Sequence, residues 1–282
     1  MKYSQQNRKL SVRIILLMLV SAAMAAPMSG QTTDSSSLTF HLGLTGALNN
    51  VRHTFGFRQL DVPYSLRVEP SNTLGWSAGL EAMFFLDRNW SLALDMRYNS
   101  LPGHSRAPLL QDEYDRFVFP VVPEGDSLRG LSSEEVDILY DVSVEYRTLS
   151  LDLLVGWRAE INDSAFAVGV NGGPVLYYVA HGTILKSADL ISPQEAFYSN
   201  PALLPLSEDK RTVYYDDGDI DQKNTVQAGL HIGLFAEFGT PYSGLMITPG
   251  ISYELGLQPV NGFADSWYIH TLGGNITVST GL

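Results

Sequence analysis

Cysteine is absent from the 282 residues, which excludes disulfides and a lipoprotein anchor. Basic residues are scarce, 18 lysines and arginines against 30 carboxylates, for a formal net charge of −12. Nucleic-acid binding needs basic patches that displace counterions, so that class is excluded. Lysine is rarer still: Lys2, Lys9, Lys186, Lys210 and Lys223 are the whole set, and all five fall outside the strands predicted below. No long apolar run follows the amino terminus, which excludes a helical membrane protein. A mean hydropathy of +0.01 does not exclude a membrane β-barrel, because half of each of its strands is polar.

The amino terminus reads as a cleaved secretory signal over residues 1–25. Lys2, Arg8, Lys9 and Arg13 form a basic start, Ile14 to Val20 a short apolar core, and Ala23-Met24-Ala25 a small-x-small cleavage site. A cut before Gln31 is the alternative. Loss of residues 1–25 removes four positive charges and no negative one, so −12 becomes −16. Residues 26–37 are small and polar, a flexible lead into a domain spanning 26–282.

What the chain does have is alternation. From Leu74 to Leu86, and again from Trp90 to Tyr98, large apolar residues occupy every second position. The positions between carry glycine, serine and isolated charges, and Asp87-Arg88-Asn89 breaks the run. Period two over this length means a β-hairpin. The same pattern recurs at Leu38–Thr45, Leu149–Arg158, Phe166–Tyr178, Val226–Phe238, Leu245–Leu257 and Tyr268–Leu282, giving eight strands. Val144 and Tyr146 have the opposite parity to Leu149, which predicts a bulge near Arg147; Pro174 and Pro249 predict two more. Connections run long, short, long, short, long, short, medium, with the longest irregular stretches at about Ser100–Ser143 and His181–Asn224. That order fits an all-β, eight-stranded antiparallel up-and-down transmembrane barrel with long extracellular loops and short periplasmic turns. Outward aromatics fall at two levels: Phe84, Trp90, Trp157, Phe166 and Phe238 toward the turns, and Trp76, Tyr98, Tyr178, Tyr253 and Tyr268 toward the long loops. The competing reading is a secreted soluble barrel or sandwich with the apolar face as core. Its solvated face should carry lysine, and the polar faces here are small instead.

With the strands placed, the chain resembles the outer-membrane β-barrel family of Bacteroidota, the group that includes PorT-like proteins. Tyr146-Arg-Thr-Leu-Ser-Leu-Asp-Leu-Leu-Val-Gly-Trp-Arg158 is similar to one family strand. Gly172-Gly-Pro-Val-Leu-Tyr-Tyr178 and Gln227-Ala-Gly-Leu-His-Ile-Gly233 resemble two glycine-rich ones. Asp152 stands where the family usually has proline, and the chain ends in Thr280-Gly-Leu282 rather than an aromatic. The resemblance implies the fold and an outer-membrane location; it supplies no catalytic or binding residue.

Alternation puts Glu81, Asp95, Arg97, Asp152, Arg158, Glu237 and Glu254 on the inner face with His41 and His231, and Arg147 at the bulge is a further candidate. Charges in so narrow a lumen must pair, so packing rather than conduction is expected. Asp217, Asp219 and Asp221 are weak calcium candidates, lacking the glycine and glutamate of an EF-hand loop. Gly125-Asp126-Ser127-Leu128 spells a hydrolase motif but lies in a loop with no Asp-x-x-His anywhere. His53, His104 and His181 are the histidines a barrel hydrolase acting on lipid or peptide would use. The expectation is a non-enzymatic, cofactor-free, monomeric outer-membrane protein. Its expected partners are membrane lipid and lipopolysaccharide, the barrel-assembly machinery, and a protein or glycan held by the long loops. A hydrolase and a narrow channel are the alternatives.

Overall fold

The computed structural model describes residues 39–54, 71–108, 119–124, 127–132, 135–161, 165–199, 204–220, 223–239, 244–261 and 267–281. The signal segment and the flexible lead lie outside them. The strands are β1 (Thr39–Thr54), β2 (Ser71–Phe85), β3 (Trp90–Ser100), β4 (Gly103–Pro108), β5 (Phe119–Glu124), β6 (Ser127–Gly130), β7 (Asp137–Glu160), β8 (Phe166–Ser192), β9 (Phe197–Ser199), β10 (Thr212–Asp219), β11 (Val226–Phe238), β12 (Leu245–Gly256) and β13 (Tyr268–Gly281). Antiparallel pairing runs β1-β2-β3-β7-β8-β11-β12-β13, and β13 pairs back onto β1 from Thr54↔Tyr268 to His41↔Gly281. The sheet is closed: an eight-stranded up-and-down barrel built from the eight strands that the alternation predicts.

Exposure decides which face is which. Leu44 is 67% exposed and Ile232 64%, whereas Arg97 is 3% exposed and Glu237 fully buried. A soluble barrel has the reverse arrangement, so the soluble reading is overturned. The outer wall is the apolar surface of a membrane-spanning barrel. The turn between β2 and β3 is tight. At Leu86–Asn89, the Asp87 carboxylate accepts the backbone N–H groups of Asn89 (2.7 Å) and Trp90 (2.8 Å), closing an Asx turn between β2 and β3.

Several expectations need correction. Among the described residues, the second and third long connections are largely strand. β7 and β8 have 24 and 27 residues. A tilted strand rises roughly 2.5 Å per residue, so about ten residues cross the apolar band and the rest project beyond it. In that projection β4 pairs with β7 and β10 with β8, continuing the wall as a four-stranded sheet, β4-β7-β8-β10. A second sheet, β6-β5-β9, is built from the same loops. β1 likewise runs on past Thr45 to Thr54.

The parity change ahead of Leu149 is not a bulge in β7. Its even-numbered residues face inward throughout, from Ile138 through Tyr146 to Arg158. What changes is the environment. Within the membrane the apolar residues face lipid; above it they face inward, and Ile138, Tyr140, Val142, Val144, Ile184, Ala188 and Val213 join Val122 and Tyr198 of the second sheet in one core. The register does shift opposite Arg147, but the extra residue is Ala180 of β8 (Arg147↔His181, then Thr148↔Val179). Pro174 and Pro249 cause no shift either. Pro174 stays in register with Leu230 and Pro249 with Ile276. Each proline opens only the ladder its missing N–H would have served, β7–β8 or β11–β12, while the register on both sides is preserved. Gly173 suits such a gap: a Cβ there would lie 1.9 Å from the Leu153 carbonyl oxygen. Lys186 lies inside β8, not outside the strands, in the part that projects beyond the membrane.

Candidate functional site

The interior is filled in layers. At the long-loop end Val51, Leu101, Tyr146, Val179, Val260 and Trp267 close it with apolar side chains. His53 belongs to this layer. The Trp267 indole N–H donates to its Nδ1 at 3.2 Å, so the ring proton sits on Nε2 and is shared with the Leu101 carbonyl at 3.1 Å. Both ring nitrogens are engaged, and the residue is fully buried. His53 is a core histidine, not a surface base.

Below it lies a charge cluster around Arg97. Its Nε is 3.0 Å from Asp95, and Nη2 donates to Asp152 and, at 2.5 Å, to Glu254. Tyr177 donates its hydroxyl to the other Glu254 oxygen at 2.7 Å, and His231 Nδ1 is 3.4 Å from Oε1. β2, β3, β7, β8, β11 and β12 thus deliver side chains to one point or border it. Gly79 of β2 makes the room: a Cβ there would lie 2.7 Å from Arg97 Cγ. Asp152, His231 and Glu254 bring ligand-type atoms within 4.8 Å of one another, the one such metal-capable trio among the described residues. The Arg97 guanidinium already supplies the cation there.

Nearer the turns Arg158 Nε lies 2.7 Å from Glu237 and Nη2 3.5 Å from Glu160, with the guanidinium 5.5 Å from the centroid of Phe85. Met83, Phe85, Ala93, Leu154 and Met246 form the apolar layer at this end. Glu81, cross-strand from Asp95, faces the space between the layers. His41 is buried at the turn end against Phe85 and Ser279. Arg147 is not in the lumen; it points outward and pairs with Glu145.

His104 is exposed and His181 half-buried. Each meets a carboxylate that an arginine also holds: Asp141 (3.0 Å to His104 Nε2, 2.6 Å to Arg106 Nε) and Glu145 (3.6 Å to His181, shared with Arg147). Asp219 is exposed, 3.7 Å from Lys223; the side chain of Asp217 and all of Asp221 lie outside the described residues. So do Gly125 and Asp126, while Ser127 is exposed and donates to the Glu124 carbonyl. The outward aromatics pair across strands: Trp76 with Tyr98 at 5.6 Å, Phe166 with Phe238 at 5.1 Å, and Trp90 opposite Trp157. Tyr178 and Tyr253 are exposed on the same wall, and Tyr268 stacks on His270. Phe40, on the apolar face of the first strand, packs on Phe84 at 4.8 Å and joins the turn-end aromatics. Tyr177 was missed, although its place between outward Leu176 and Tyr178 assigns it to the lumen.

No family model and no curated protein matches the chain. Among solved structures it is similar to neisserial surface protein A (TM-score 0.37, 10% identity, 86% of this chain and 96% of that one). It is also similar to Ail, the attachment invasion locus protein of Yersinia pestis, in complex with the heparin analogue sucrose octasulfate (0.30, 12%, 85% and 98%). A third is the outer membrane protein OprG of Pseudomonas aeruginosa (0.31, 10%, 86% and 96%). The fold itself rests on the closed ring of strands and its inverted polarity: the chain is an eight-stranded membrane-spanning β-barrel.

Proposed function

We propose that the protein resides in an outer membrane, delivered there by a cleaved leader over residues 1–25, and works as a monomeric, non-enzymatic surface platform. The observation that carries this is the projection of β7 and β8 beyond the apolar band, with β4, β10 and the β6-β5-β9 sheet packed onto it around one core. A folded projection of this kind presents a stable face to a protein or glycan, and the girdle aromatics above and below Leu94 seat the barrel in lipid and lipopolysaccharide. The interior argues against a channel, because two apolar layers and an Arg97-centred ion cluster fill it. Against a hydrolase, both ring nitrogens of His53 are spent, and His104 and His181 meet carboxylates that arginines also hold. The resemblance to the PorT-like barrels of Bacteroidota agrees with the same location.

Planar-bilayer recording of the purified barrel, together with photo-cross-linking from positions 127 and 209 on intact cells, tests the reading. Absence of conductance and specific cross-linked adducts are expected. A stable open pore, or clean loops with no adduct, overturns it.

A further inference from the structure

The inner wall of the membrane-spanning part carries five buried carboxylates, Glu81, Asp95, Asp152, Glu237 and Glu254, against two guanidiniums, Arg97 and Arg158. Carboxylates therefore outnumber guanidiniums by three in a place where an uncompensated ion is costly. The excess is not spread evenly. Arg97 contacts Asp95, Asp152 and Glu254, and Arg158 contacts Glu237 and Glu160, but no basic nitrogen lies within ion-pair distance of Glu81 among the described residues. Glu81 instead lines a cavity of about 40 Å³ between the Arg97 cluster and the apolar turn-end layer. Glu237, Asn171 and Thr248 line it as well.

These four side chains share one property. Glu81 Oε1, Glu237 Oε1, Asn171 Oδ1 and Thr248 Oγ1 are each buried without a hydrogen-bond partner among the described residues. Glu237 is fully buried and Glu81 only 8% exposed, so bulk water does not satisfy them. Buried oxygens normally have partners, and four of the unpartnered ones border this one cavity.

We propose that this cavity is a binding site for one hard divalent cation of calcium type, held between Glu81 and Glu237 with the Asn171 carbonyl and the Thr248 hydroxyl as neutral ligands. The four donors are all oxygen, with no thiolate or imidazole among them, which selects calcium over zinc or copper. Calcium accepts six to eight oxygens in irregular arrangements and keeps waters among them, and the cavity has room for an ion with a few waters. The ion ties β2, β8, β11 and β12 together across the lumen and offsets most of the charge excess. It is a structural and binding role distinct from the surface role proposed above, and independent of it.

The test is isothermal titration of the full barrel, folded in detergent micelles and stripped with a chelator, with calcium, magnesium and sodium chloride in separate arms. One calcium per chain, with a raised thermal midpoint, is expected. Glu81→Gln should weaken binding by about tenfold or more, and Thr248→Val by less, since ligand charge dominates affinity. The heat-dependent electrophoretic mobility of a folded barrel verifies each variant, and Thr248→Val carries the test alone if Glu81→Gln does not fold. A variant with Asp217, Asp219 and Asp221 all changed to asparagine should bind as wild type does. No calcium uptake by the wild type, undiminished uptake by the cavity variants, or loss of uptake on changing the loop aspartates overturns the proposal.

Discussion

Arg97 is the residue on which the interior depends most, because three carboxylates from three other strand positions converge on its guanidinium. Removing one partner of a buried ion pair leaves the others uncompensated, at about 3–5 kcal/mol. Arg97→Met should therefore lower the stability of the folded barrel by that order in urea titrations in vesicles. Arg97→Lys should recover only part, since an ammonium lacks the planar fork that meets several carboxylates at once. Outside the membrane, Glu135 makes a different prediction. It accepts the Ser132 backbone N–H (2.9 Å) and hydroxyl (3.0 Å) and a guanidinium N–H of Arg129 (2.8 Å). The Ser132 amide foremost, with Arg129, holds its carboxyl down at about 2 against an ordinary 4.5. A depressed carboxylate stabilises fully above its unfolded value and loses that contribution as pH falls through the folded one. Amide-exchange protection at Ser132 and Leu131 should accordingly be constant above about pH 4.5 and fade between there and pH 2. At this scale the sequence showed which charges face inward, since alternation alone assigns Asp95 and Arg97 to one face. It did not show the pairing, because Arg97 meets Asp152 and Glu254 across 55 and 157 residues of chain.

The strands obey one rule with two solutions. Within the lipid the apolar residues of β3 and β7 face out, and beyond it those of β7 and β8 face in. Leu94 sits midway between Trp90 and Tyr98 on the exposed face, and Asn50 near the long-loop edge of β1. Arginine on a lipid face costs about 2–4 kcal/mol at the midplane and about 0–1 near the interface. Leu94→Arg should thus be several times more destabilising than Asn50→Arg when both are folded into vesicles and titrated with denaturant. Equal effects would mean that the exposed stripe does not face lipid. The existence of eight strands and their facing were legible because period-two alternation survives in every one of them. The extensions were not. Where Val142, Val144 and Tyr146 turn their apolar side inward, a reader who expects one environment sees a broken pattern and infers a bulge. Pro174 and Pro249 misled for a related reason: a proline costs one ladder bond, and a closed sheet absorbs that loss without a shift in register.

For the whole molecule, the decisive facts are closure of β13 on β1 and the filling of the lumen at both ends. Closure removes the sheet edges, so the backbone can sit in lipid with its hydrogen bonds made. On the function proposed above, the filled lumen is structural and the projecting strands and loop sheets are the part that meets other molecules. The alternation of long and short connections was legible in the sequence; a partner was not, because no loop motif specifies one. The absence of cysteine gives the most direct measurement. Single-cysteine variants at Ser127, Asp209, Leu94 and Asp87 are exposed to a membrane-impermeant maleimide on intact cells, and again after lysis. Labelling of the Ser127 and Asp209 variants on intact cells, of the Asp87 variant only after lysis, and none of the Leu94 variant in either case is the predicted result. Rapid labelling at Leu94, or labelling at Asp87 from outside, would contradict a membrane-spanning barrel that holds its β-structured loops to the exterior.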